Sequence, residues 1–212
     1  KQPAMTLEQA ETAIQTGIDI AVSQISSGID ILATGEMGIG NTTPSSAITS
    51  VFTGLPVELV TGRGTGVDDS GFKNKVKVIK QVLEFHKPDS SKPFDVLCQV
   101  GGLEIAGLTG VIIGAASKST PVVIDGFISG AAALIAYRLQ PQIKPYLIAS
   151  HQSVESGHSA ILEHIGLKPL FNLDLRLGEG TGAVLAFNLI DAATRILREM
   201  ATFEEAGVSE AE

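Results

Sequence analysis

Two glutamates framed by glycines are the residues of this chain best suited to chemistry. Glu36 lies in Gly35-Glu-Met-Gly-Ile-Gly-Asn-Thr-Thr43 and Glu179 in Leu177-Gly-Glu-Gly-Thr-Gly-Ala183. Glycine lets backbone N–H groups approach a ligand closely, and a helix that follows offers unpaired N–H groups and positive dipole to an anion. Each loop therefore has the makings of a phosphate cradle. A carboxylate beside that phosphate adds nothing to anion binding, so it points to chemistry on whatever the phosphate is attached to.

The elements that must position these loops follow from periodicity. Thr6 and Gln9 form a capping-box pair, and Leu7, Ala10, Ile14, Ile18, Ala21, Val22 and Ile25 recur at helical spacing until Gly28. Asp30 to Thr34 reads as a short strand into the first glycine loop, and Thr43-Pro44 opens a helix with Ala47, Ile48, Val51 and Phe52 on its apolar face. Residues 61–70 read as a loop, with Asp69 or Ser70 capping a helix that buries Phe72, Val76, Ile79 and Leu83. Lys73, Lys75, Lys77 and Lys80 fall in that helix and read as a solvated face. Pro93 to Val100 fits either helix or strand. The run after Gly101-Gly102, as far as Ala116, predicts a buried helix.

Pro121 to Asp125 predicts a buried strand, with Gly126 at the turn and a helix over Phe127 to Tyr137. Lys144 to Ala149 and Pro169 to Leu175 are further strands, Ser156 to Ile165 a helix ended by Gly166, and Asp191 to Met200 part of a last helix. Continuous apolar strands alternating with helices imply an α/β, Rossmann-like, mostly parallel sheet with helices on both faces. In such sheets ligands bind beyond the carboxyl ends of the strands, where Glu36, Asp125, Ser150 and Glu179 are expected to converge on one crevice. The expected organisation is a nucleotide-binding core over residues 1–182 and a C-terminal helical segment over 183–212, part of a small helical subdomain.

Composition narrows the function classes. The 212 residues carry 44% hydrophobic and 5% aromatic residues, 23 glycines, no tryptophan and a formal charge of −8. Acidity and scarce aromatic rings argue against nucleic acid or an anionic membrane as partner. Apolar stretches from Leu103 to Ala116 and Pro121 to Tyr137 are broken by Glu104 and Asp125, and read as buried elements rather than membrane spans. One cysteine, Cys98, leaves no internal disulfide, which fits a reducing, cytoplasmic setting. Lys1 leads almost directly into a helix pattern, as expected of a fragment or processed product.

Several motif readings do not hold. There is no Gly-x4-Gly-Lys-Ser/Thr, and Gly38-Ile-Gly40 lacks the third glycine of a dinucleotide fingerprint. Asp68-Asp69 has the look of a phosphoribosyl-pyrophosphate acid pair but follows a glycine-rich loop rather than an apolar strand, which favours helix capping. His86, His151, His158 and His164 offer no zinc-ligand spacing, so no metal site is expected; His151 is a weak site candidate. Ser129 misses the Gly-x-Ser-x-Gly elbow by one position.

The sequence resembles the nicotinate-nucleotide:dimethylbenzimidazole phosphoribosyltransferase family. The resemblance rests on six blocks in order: Thr34 to Thr43, Gly62-Arg-Gly-Thr-Gly66, Gly101-Gly-Leu-Glu-Ile-Ala106, Val123-Ile-Asp-Gly-Phe-Ile-Ser129, Ser150-His-Gln-Ser-Val-Glu155 and Leu175 to Ala183. It implies transfer of the phosphoribosyl group of nicotinate mononucleotide to dimethylbenzimidazole, giving alpha-ribazole phosphate and nicotinate for the cobalamin nucleotide loop. No cofactor, metal or pyrophosphate donor is implied, and a homodimer is. By resemblance Glu179 is the general base that takes a proton from one benzimidazole nitrogen, and Glu36 lies near the reacting centre. Met37 and Leu177 would face the aromatic base, and Lys75 and the N–H groups around Gly38 the phosphate. Gly40, Asn41, Gly126, Ser150, Ser153, Gly178 and Gly180 match further substrate-binding positions. Asp125 reads equally as a ribose or nicotinate contact and as a cap on the turn after its strand.

The chemistry of these residue types agrees. Nicotinate leaves as its ring nitrogen becomes neutral, so the protein must mainly position reactants and manage one proton. Partial burial of Glu179 among Leu175, Leu177 and glycine backbone is expected to bring its pKa toward neutrality. Family members carry an additional N-terminal portion that contributes to the acceptor pocket, and this chain is expected to begin after it. Two further classes stay open: a catalytically incompetent fragment or non-catalytic nucleotide-binding module, and a nucleoside or glycoside hydrolase using Glu36 and Glu179 as paired carboxylates.

Overall fold

The computed structural model describes residues 2–64 and 66–208. Thr65 of the Gly62 to Gly66 block and residues 209–212 of the expected C-terminal segment lie outside the described residues.

Helix α1 (Leu7–Ser26) starts at the expected capping box, where Gln9 N–H donates to Thr6 Oγ1 (3.2 Å) and Thr6 N–H to Gln9 Oε1 (2.9 Å). Strand β1 (Leu32–Ala33) leads into the first glycine loop, and α2 (Thr42–Thr53) follows, one residue before the Thr43 start that Thr43-Pro44 predicts. A single turn, α3 (Val57–Val60), precedes α4 (Asp69–His86). The cap of α4 is Asp68, whose carboxylate accepts from Gly71 N–H at 2.7 Å, rather than Asp69 or Ser70. Asp69 is instead ion-paired with Arg63. The ambiguous run is helix α5 (Pro93–Val100), with proline at its first position. Helix α6 (Leu103–Ser117) lies so close to α1 that a Cβ on Gly110 would stand 2.0 Å from Ile14 O, and one on Gly17 2.0 Å from Gly107 O.

Strand β2 (Val122–Ile124), helix α7 (Phe127–Leu139), a 3₁₀ turn (Pro141–Tyr146) and β3 (Leu147–Ala149) come next. Lys144 to Tyr146 belong to that turn, not to the expected strand, because Pro141 and Pro145 remove the N–H groups a ladder needs. Strand β2 is central: Leu32 pairs with Val122, and Val122, Val123 and Ile124 pair in parallel with Leu147, Ile148 and Ala149. Val122 and Ile124 enter the main core with α6 and α7, whereas Val123 packs on the opposite side against Ala183 and Ala186 of α9 (Thr181–Glu199). The two faces of β2 are thus covered by different helices, as alternation of side chains along a strand requires. Each of these three buried side chains contributes about 1.5–3 kcal/mol by leaving water.

The sheet is divided. Strand β4 (His151–Ser153), which the sequence pattern does not show, pairs in parallel with β5 (Phe171–Leu175) across α8 (Ser156–Ile165), giving a second, two-stranded sheet. Ser150 makes the change of sheet. Its N–H and its Oγ both donate to Ile124 O (3.0 and 2.8 Å), holding the chain to β2 just before it swings to β5. Among the described residues no helix is long and apolar enough to cross a membrane.

Candidate active site

The carboxyl ends of β1, β2, β4 and β5 open on a cavity of about 310 Å³. Its lining includes Glu36, Met37 and Gly38 from the first loop, Asp125 and Gly126 after β2, His151 and Ser153 of β4, and Arg176, Leu177 and Gly178 after β5. This volume lies within the roughly 300–1,000 Å³ of small-molecule sites.

The two glutamate loops meet at its mouth. Glu179 N–H donates to Glu36 O at 2.9 Å, and Gly35 approaches so closely that a Cβ there would lie 2.5 Å from Gly180 N. Glu36 turns its carboxylate back on its own loop, accepting from Gly38 N–H at 2.5 Å. The N–H expected to meet a phosphate is therefore engaged internally. Glu179 is exposed, not partly buried as expected, and Leu177 (65%) and Met37 (60%) are exposed beside it. Leu175, expected from the sequence to cover Glu179, is only half-buried and belongs to β5, at the edge of a two-stranded sheet.

Lys75 is the inward lysine of α4. It is half-buried, and its Nζ donates to Thr42 Oγ1 (2.7 Å) and Gly62 O (3.1 Å), directly behind the lining residues Thr42 and Gly64. Burial lowers its pKa, and the Glu155 carboxylate opposes that shift. Lys73, Lys77 and Lys80 are exposed, Lys80 in an ion pair with Glu58.

Asp125 is 1% exposed. Its Oδ2 accepts from Gly180 N–H and its Oδ1 from Ala183 N–H, both at 3.1 Å. His151 Nδ1 lies 2.9 Å from Ser150 Oγ and 3.9 Å from Asp125 Oδ1, with its ring stacked on Phe171 and pressed against Gly182. Burial lowers its pKa and Asp125 raises it in part. Behind it, His158 is fully buried and accepts from Ser153 N–H at Nδ1 (3.0 Å); burial, with a smaller push from His151, takes its pKa down to about 3.

Of the sequence-predicted residues, Glu36, Met37, Gly38, Asp125, Gly126, Ser153, Leu177 and Gly178 line the cavity. Gly40, Asn41, Lys75, Ser150, Glu179 and Gly180 do not. Asn41 stands at the N-cap position of α2, buried and without a side-chain cap bond, and Ser150 is fully buried at the change of sheet. Four polar lining residues have no role in the sequence reading: Thr42, Ser129, Glu155 and Arg176, with Ser129 inside the Val123 to Ser129 block. Glu155 Oε2 is buried and has no hydrogen-bond partner among the described residues, and it lies close enough that a Cβ on Gly62 would overlap it. Thr42 and Arg176 lie inside the two glutamate blocks and Glu155 ends the Ser150 block, so membership of those blocks was the available signal. Among the described residues no group of three or more His, Cys, Asp or Glu is placed to hold a metal.

Comparison with known proteins meets this geometry. A family model described as phosphoribosyltransferase matches residues 1–208. The nicotinate-nucleotide–dimethylbenzimidazole phosphoribosyltransferase of Roseiflexus sp. (strain RS-1) is 60% identical over 208 residues, 98% of this chain and 59% of that protein. The protein of the same name from Chloroflexus aggregans is 58% identical over 210 residues, 99% of this chain and 60% of that one. The crystal structure of CobT from Thermus thermophilus superposes with a TM-score of 0.93 at 46% identity, covering 99% of this chain and 62% of that one. The chain thus spans about three-fifths of the length of these relatives. With the family model matched along nearly its whole length, and the two glutamate loops joined at one cavity, this chain belongs to the phosphoribosyltransferase family that includes these proteins.

Proposed function

We propose that this chain carries the nucleotide side of an enzyme that transfers the phosphoribosyl group of nicotinate mononucleotide to dimethylbenzimidazole. The observation that carries this reading is the bond between the two glutamate loops at the cavity mouth, which sets Glu179 beside Glu36. One benzimidazole nitrogen attacks the anomeric carbon of the ribose. The bond from that carbon to the nicotinate nitrogen breaks with its electron pair going to the pyridine ring, and nicotinate leaves. Glu179 takes the proton from the other benzimidazole nitrogen, so the product is the neutral-base nucleotide alpha-ribazole phosphate. Glu36 and its glycine loop stabilise positive charge developing on the ribose.

Lys75, held by Thr42 and Gly62, lies behind the lining residue Thr42 and supplies a positive charge that supports a phosphate there. Met37 and Leu177, both exposed at the cavity, form the apolar side offered to the incoming base. The reaction as written needs no cofactor. A cytoplasmic homodimer in cobalamin nucleotide synthesis is the setting this reading implies, with the helical segment that starts at residue 183 forming part of a small helical subdomain.

A second reading is favoured by one observation: Glu179 and Leu177 are exposed. On it the chain binds the nucleotide but does not turn it over unaided. Incubation with nicotinate mononucleotide and a panel of bases, with products identified by mass, separates the readings. Base-dependent nicotinate release with a new nucleoside phosphate is expected for the enzyme. Binding without release supports the second reading, and release without any added base supports hydrolysis.

A further inference from the structure

Glu179 occupies a backbone conformation that its side chain disfavours. Its φ is +57°, between Gly178 at +79° and Gly180 at +82°, so three successive residues hold left-handed values. Such a turn persists only where its surroundings hold it. Immediately after it α9 begins without a cap of its own, because the N-cap position is Gly180, which has no side chain to offer. The missing acceptor comes from the end of β2. Asp125, buried and 55 residues earlier in the chain, accepts from Gly180 N–H and from Ala183 N–H, one with each oxygen.

We infer that Asp125 is a positioning residue, a cap supplied across the fold that clamps the Gly178 to Gly180 turn and so fixes Glu179 against Glu36. Its effect on transfer runs through Glu179 and not through contact with the ribose; this kinetic part rests on the reading of Glu179 as proton acceptor, whereas the clamp itself does not. A carboxylate is required chemically. Two N–H groups need two acceptor oxygens, and the positive end of α9 favours an anion. Asparagine has the same shape but turns an NH₂ toward one of the two donors. The His151 ring, packed on Gly182 and bonded to Ser150 Oγ, closes the other side of the same helix end and leaves no room for a side chain at 182.

Hydrogen exchange followed by NMR on the full chain tests the clamp. In Asp125→Asn the amides of Gly180 and Ala183 are expected to exchange about tenfold faster or more, while those of α6 stay protected. Unchanged exchange at Gly180 and Ala183 in the folded variant overturns the inference. If Asp125→Asn does not fold, the wild type decides: exchange at these two amides as fast as at an uncapped, solvent-exposed turn contradicts the clamp. The kinetic arm is a double-mutant cycle. Asp125→Asn is expected to lower kcat about tenfold or more with KM for nicotinate mononucleotide changed less than about threefold, and to add less than about twofold on top of Glu179→Gln. Additive losses, or a KM that rises while kcat holds, overturn the positioning role. Absence of any turnover in the wild type counts against the proposed function alone, and the exchange result then decides the clamp by itself.

Discussion

A glutamate at φ +57° is an expensive choice of residue, and that cost can be measured. Replacing Glu179 by glycine, which accepts left-handed backbone freely, is expected to stabilise the fold by about 0.5–1 kcal/mol in urea denaturation. The same change removes the proposed proton acceptor, so stability and transfer move in opposite directions at one position. Buried His158 makes a second prediction. Its folded pKa, about 3, lies below the ordinary 6.5, so as pH falls the unfolded chain takes up the proton first. The associated stability is complete above pH 6.5 and is drained as pH falls toward about 3. In His158→Gln the slope of unfolding free energy against pH in that window is expected to fall by about one proton, ~1.4 kcal/mol per pH unit; an unchanged slope places the acid sensitivity elsewhere. Glu36 and Glu179 were legible as a pair from their glycines alone. Asp125 as the cap of α9 was not, since nothing local says that a carboxylate ending one strand reaches a helix 55 residues later. The exposure of Glu179 was not legible either, because covering it depended on Leu175 and Leu177 folding over the loop, and the edge position of β5 leaves Leu177 outward.

At the scale of elements, α4 turns one of four lysines inward. Lys75 shares its side of the helix with buried Val76 and Ile79 and with half-buried Phe72, while Lys73, Lys77 and Lys80 face water. If Lys75 serves the phosphate, Lys75→Met should weaken binding of nicotinate mononucleotide about 10–100-fold in calorimetry, the worth of one charge-assisted bond, and change binding of the phosphate-free riboside less than about threefold. Equal losses for both ligands would assign Lys75 to holding Thr42 and Gly62 in place. Elements with strong punctuation were readable in full: α8 runs from Ser156 to Ile165 and stops at left-handed Gly166, as its sequence indicates. Short or polar elements were not. Strand β4 is three residues of His-Gln-Ser, whose pairing with β5 is a tertiary event, and α3 is one turn without a cap bond. Pro93 to Val100 resolves as helix because its apolar residues Val96, Leu97 and Val100 enter the core at helical spacing.

At the scale of the whole molecule, much apolar surface lies outside the core. Val184, Leu185, Leu189, Ile196 and Leu197 of α9 are exposed, continuing a helix whose first turns are buried against β2. The proposed homodimer gives this face a partner. Sedimentation is expected to return twice the chain mass, and Leu189→Asp to return the monomer with its secondary structure intact; a monomeric wild type sinks the dimer. The parallel α/β plan was readable because buried strands alternate with helices, whereas the division into two sheets at Ser150 was not, since a serine between two strands carries no signal of which neighbour each will choose. One proposal joins these scales: the fold ties two glycine-framed glutamate loops together at one cavity, and Glu179, exposed at its mouth, is proposed to take the proton of an incoming base. The most direct measurement compares wild type and Glu179→Gln for nicotinate release from nicotinate mononucleotide, with and without dimethylbenzimidazole. Release is expected to depend on the base and to fall about 10²–10⁴-fold in the variant, the range for loss of a general base. Equal release by the two proteins, or release that ignores the base, would contradict it.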